Sequence, residues 1–67
     1  MNTEHAVKQL AALAQSSRLA IYRALVVAGE TGNTPNELIA LLGLANATLS
    51  FHLKTLQQAD LIHVEQQ

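Results

Sequence analysis

The stretch TPNELIALLGLANATLSFHLKTL, residues 34–56, carries two apolar stripes at helical spacing with a single glycine between them. In the first, Thr34 is placed to cap, Pro35 falls where a missing N–H costs nothing, and Glu37 follows three residues after the cap. That is the capping-box pattern, and it predicts a helix start at Thr34. Leu38, Leu41 and Leu42 form the expected buried face, and Gly43 is placed to end the helix in the left-handed conformation. A second helix must begin almost at once, near Asn46, and run to about Ala59 with Leu49, Leu53 and Leu56 inward. On its outward side lie Ala47, Ser50, Phe51, Lys54 and Gln58, with Thr48 at the margin and Asn46 at the N-terminal tip. The only phenylalanine of the chain therefore points away from the expected core.

Upstream, Val7, Leu10, Ala11 and Ala14 share one face of a first helix, widened by Ala6 and Leu13, with Lys8, Gln9 and Ala12 outside. This is more apolar width than one packing surface needs, and the spare part suits a subunit interface. Ser16 and Ser17 break the pattern and offer a hydroxyl N-cap. RLAIYRALVVA, residues 18–28, is then apolar nearly all round except for Arg18 and Arg23, as a central buried helix would be. GETGN, residues 29–33, reads as a loop. Downstream, LIHVEQQ, residues 61–67, has β-branched residues and reads as one short strand, with no second strand in the chain to pair with it.

The 67 residues set a ceiling of one domain, and a chain of that size buries only about 60% of the surface its unfolded form exposes. Half of the residues are apolar and none is cysteine, so no disulfide can compensate and an oligomer is expected. The lack of cysteine also removes thiolate metal sites and thiol redox chemistry, and is compatible with the cytoplasm. MNTEHAVKQL at the N-terminus lacks the basic and apolar regions of a signal peptide, and no apolar run approaches a membrane span. A soluble, cytoplasmic protein without membrane contact is the expectation. The formal charge of −1 argues against a strongly nucleic-acid-binding surface.

Two short helices joined by a tight glycine turn, the second amphipathic and followed by a strand, nevertheless describe a helix-turn-helix at the start of a wing. The expected fold class is mainly α: a winged helix-turn-helix of four helices plus one short C-terminal strand, the wing incomplete. The runs SRLAIYRAL and LSFHLKTLQQADLI, with NELIALLGLANAT before the second, carry a closer likeness. Over nearly its whole length the chain resembles the ArsR/SmtB family of small bacterial winged-helix repressors. The resemblance implies a homodimer that binds double-stranded operator DNA near promoters and is often released by a metal or metalloid ion. It also marks departures. Family members usually continue through a β-hairpin wing and a C-terminal helix, whereas this sequence stops at Gln67, so residues 1–67 read as a single winged-helix domain truncated after the first wing strand. Cysteines in or near the recognition helix are absent, and no cofactor or metal site is expected from these residues. Where relatives commonly place a capping serine stands Ala45, which makes Asn46 the expected cap, one residue later.

Helix-turn-helix proteins present the N-terminal part of the second helix to base edges in the major groove. In that frame Asn46 suits paired hydrogen bonds to adenine, Thr48 and Ser50 suit several bases, and Ala47 shares their base-facing surface. Phe51 would offer an apolar surface to a thymine methyl; its alternatives are a contact with a neighbouring chain or packing under a loop. Lys54 suits a phosphate, and Thr34 and Asn36 at the preceding helix start add hydroxyl, amide and backbone donors. His52 reads as a partly buried histidine hydrogen-bonded to backbone, and His5 and His63 as solvated. Arg18 and Arg23 either snorkel or pair with carboxylates such as Glu30 or Glu37, with phosphate contact the lesser reading. Four basic residues per chain limit a dimer to about eight phosphates and a salt slope of about −7, with half that count more realistic.

Two function classes follow: a DNA-binding repressor, or a winged-helix module that binds another protein through the face around Phe51. Enzyme chemistry is not expected, because the chain offers no paired carboxylates, glycine-rich phosphate loop, cysteine nucleophile or metal-ligand spacing.

Overall fold

The capping box at Thr34 is formed in full. The Thr34 hydroxyl oxygen accepts from the Glu37 N–H at 3.1 Å, and the Thr34 N–H donates to the Glu37 carboxylate at 2.7 Å. The computed structural model describes residues 2–65, in the order α1 (Thr3–Leu13), α2 (Ser16–Ala28), a 3-10 turn (Gly29–Thr31), α3 (Pro35–Leu42) and α4 (Asn46–Gln58). Gly43 ends α3 at φ +68°, and its N–H donates to the Ile39 carbonyl at 2.8 Å. A side chain with a Cβ is strained at that φ, so glycine is what permits the reversal. Between Leu42 and Asn46 the chain bends by 113°. A short glycine-containing turn and a bend near a right angle are the geometry of a helix-turn-helix.

Each helix sends at least one side chain into a common core: Ala12 from α1, Ile21 from α2, Leu38 from α3, and Leu49 and Leu56 from α4, with Ala59 just beyond. Ile21, Leu38, Leu49 and Leu56 are sealed from solvent. Burying an aliphatic side chain of this size stabilises the fold by about 1.5–3 kcal/mol. Half-buried Leu13, Leu25, Ile39, Leu42, Leu53, Leu61 and Ile62 close the rim.

Several expectations are corrected. In α1 the apolar count selects the face only in part: Leu13 packs at the core rim, but Val7 and Leu10 are 58% and 67% exposed, whereas Ala12, expected outside, is buried. The small Ala12 side chain lets α1 approach closely, and Gln9 on the same side donates its amide to the Ala59 carbonyl at 3.0 Å. The N-cap of α2 is Gln15, whose side-chain oxygen accepts from the Arg18 N–H at 2.8 Å, and not a serine hydroxyl. Leu41 in α3 is turned to solvent, its expected place taken by half-buried Ile39. Ala45 itself occupies the cap position of α4, with no side-chain hydrogen bond, and Asn46 is the first helical residue and not the cap.

The C-terminal strand is also absent among the described residues, where the chain after α4 is irregular through Glu65. A lone strand has no ladder to join, and the segment is instead held by its start. Asp60 adopts φ +58°, the Leu61 N–H donates to the Leu56 carbonyl at 3.1 Å, and Leu61 and Ile62 fold against the core rim. Gln66 and Gln67, the end of the expected strand, lie outside the described residues.

Candidate nucleic-acid interface

Helix α4 divides sharply along its length. Leu49, His52 and Leu56 are buried, and Asn46, Ala47, Thr48, Ser50, Phe51 and Lys54 are all exposed. Phe51 is 64% exposed, so the phenylalanine does point outward, as its register predicts. The exposed residues form one continuous surface from the helix tip to its middle: an amide, two hydroxyls, an aromatic ring and one ammonium. Because Ala45 leaves the cap unfilled, the Asn46 side chain is not engaged at the helix start.

His52 differs from its expectation in its partner. Its Nδ1 lies 3.4 Å from the Arg18 guanidinium. A guanidinium can only donate, so Nδ1 is the accepting atom of this contact. Arg18 also donates from Nε to the Ala12 carbonyl at 2.7 Å. One side chain on α2 thus ties the end of α1 to the back of α4. No carboxylate lies within ion-pair distance of Arg18 or Arg23 among the described residues, so the expected pairing with Glu30 or Glu37 is not found. Sequence reasoning missed this tie because its partners are 6 and 34 residues from Arg18, and no local pattern connects them. His5 and His63, read as solvated, face single carboxylates: Asp60 at 3.7 Å and Glu65 at 4.0 Å.

At the start of α3, Thr34 and Asn36 are exposed. The box already uses the Thr34 N–H and its hydroxyl, leaving the Asn36 amide to reach outward. The Thr34 backbone N–H, and then its hydroxyl, hold the Glu37 carboxyl below its ordinary value, so it is ionised near neutral pH. An anion approaching Thr34 meets that negative charge, which makes Asn36 the more accessible donor of the two.

Residues 13–65 match the family model of a helix-turn-helix domain. The chain belongs to that helix-turn-helix family. A comparison with curated proteins returns no match. The matched span of the helix-turn-helix domain takes in α2, the turn at Gly43 and the whole of α4. Membership points to DNA binding, in the service of regulation, as its class of activity. Among the described residues of the domain no group of three or more histidines and carboxylates is placed to hold a metal ion. No single described helix is long and apolar enough to cross a membrane.

Proposed function

We propose that this helix-turn-helix domain is the DNA-binding domain of an ArsR-type transcriptional repressor that acts as a homodimer in the cytoplasm. Two copies of α4 enter successive major grooves of an operator and cover a promoter sterically. The observation that carries the reading is the outer surface of α4: hydrogen-bonding side chains and Phe51 exposed at its N-terminal half, directly over a buried Leu49–His52–Leu56 backing. Asn46, Ala47, Thr48, Ser50 and Phe51 face bases in this arrangement, and Lys54, Thr34 and Asn36 meet phosphates. The open apolar strip of Val7 and Leu10, continued by exposed Ala14, supports dimerisation through α1.

The test is NMR titration of labelled protein at low salt with a duplex from its own upstream region, against a scrambled duplex. The expected outcome is promoter-specific shifts over Asn46–Lys54, with a salt slope no steeper than about −7. Equal response to both duplexes would sink the claim of sequence reading.

A second reading, a protein-binding module, draws on the exposed ring of Phe51 together with the net charge of −1. Lys54→Glu separates the two. It abolishes operator binding in the first case, whereas in the second Phe51→Ala is the damaging change.

A further inference from the structure

Arg18 presents a half-buried guanidinium whose partners, the Ala12 carbonyl and the His52 ring, carry no negative charge. Charges withdrawn from water are normally compensated by an opposite charge. Arg18 borders a cleft of about 220 Å³ between α1 and the end of α4, and the second cation on its rim is Lys8. No acidic residue lines it. The nearest carboxylate along the chain, Asp60, faces His5 instead, and Glu4, one turn before Lys8, makes no ion pair with it. The walls are the small side chains Ala11, Ala12 and Ala59.

The backbone carbonyls of Ala11, Ala12 and Ala59 are already engaged. Arg18 takes the Ala12 carbonyl, Gln9 takes the Ala59 carbonyl, and the Ala14 N–H takes the Ala11 carbonyl. The Thr55 hydroxyl donates to the Phe51 carbonyl. What remains for a ligand is the Lys8 ammonium, the Gln58 amide and the unused face of the Arg18 guanidinium, above a floor of alanine methyls.

We infer that this cleft binds a small organic carboxylate, its anionic head between Lys8 and Arg18 and its short hydrocarbon body against Ala11, Ala12 and Ala59. The volume is below the roughly 300–1,000 Å³ of pockets for drug-sized molecules, and it suits an acid of a few carbons. The methyl lining distinguishes such an acid from bare phosphate, which has nothing to place against it. Since the cleft joins α1 to α4, an occupant that prefers one arrangement of the two helices changes operator affinity, and DNA changes the affinity for the acid by the same factor. That last consequence rests on the DNA-binding reading; the binding itself does not.

The experiment uses the whole labelled chain without DNA, so that failure of the operator reading leaves its result standing. Butyrate, its neutral analogue butyramide and inorganic phosphate are titrated separately at constant ionic strength. The expected result is saturable amide shifts at Ala11, Ala12, Thr55, Gln58 and Ala59 with butyrate, with Kd on the order of millimolar, and none with butyramide. Lys8→Gln weakens butyrate binding about fivefold, the worth of one exposed charge pair. Gln58→Glu, which supplies a carboxylate at the rim, removes it. Both positions are exposed, so neither change threatens the core. Equal shifts with butyramide, phosphate binding as tight as butyrate, or indifference to both substitutions would each overturn the assignment.

Discussion

The two helices of the motif start in opposite ways. The first turn of α3 is closed by its own residues, Thr34 and Glu37 satisfying each other's backbone N–H groups. The first turn of α4 follows an alanine that satisfies none. Both helices bury a leucine four positions after the cap, Leu38 and Leu49. Only α4 adds an anchor from elsewhere in the chain, the Arg18–His52 contact. The supporting helix is thus fixed from within, and the outward-facing helix is fixed by what lies behind it. Its first backbone N–H groups stay open toward whatever meets its tip.

The comparison breaks most severely at Leu49. Leu49→Ala leaves a cavity under the uncapped turn and should cost about 3 kcal/mol in urea unfolding. Arg18→Gln withdraws charged donors from the Ala12 carbonyl and the His52 ring; a loss of about 2 kcal/mol is expected by the same measurement. Exchanging the caps sharpens the contrast: Thr34→Ala should lose about 1 kcal/mol, and Ala45→Ser should gain about 0.5 kcal/mol by giving α4 the acceptor it lacks.

The smallest effect is in acid. Glu37 has a lowered pKa in the folded chain, while in the unfolded chain it titrates near its ordinary 4.5. Its contribution is therefore complete above that value and fades as pH falls through the lowered one. Glu37→Gln should flatten that limb of a stability profile between pH 6 and pH 2, leaving the rest of the profile parallel.

The same division explains what the sequence made legible. Thr34, Pro35, Glu37 and Gly43 specify α3 and its turn through neighbours a few residues apart, so the helix-turn-helix could be read directly. The outward placement of Phe51 followed from register alone. The face of α1 could be read only in part, because exposed Val7 and Leu10 outweigh the small residue, Ala12, that meets the core beside Leu13. Nor could Arg18 be assigned, since its acceptors come together only when α1, α2 and α4 are packed. The C-terminal segment misled in another way: β-branched residues favour a strand, but a strand forms only where a second one is available. Ala45 has no side chain to cap with, yet helix α4 begins after it all the same, held by Leu49.

A helix anchored from behind also has its own place in the order of local opening. The turn at Thr34 needs only four consecutive residues to close, whereas the hold on α4 at His52 requires the separate approach of Arg18, 34 residues earlier in the chain. Fluctuations that unseat Arg18 therefore loosen α4 at His52 without undoing the start of α3, at less than the cost of global unfolding. Amide exchange in the first turn of α4 should accordingly outpace that in α3, and a partner seated on its outer face would slow it by supplying from the front the restraint that the helix otherwise receives only from the back.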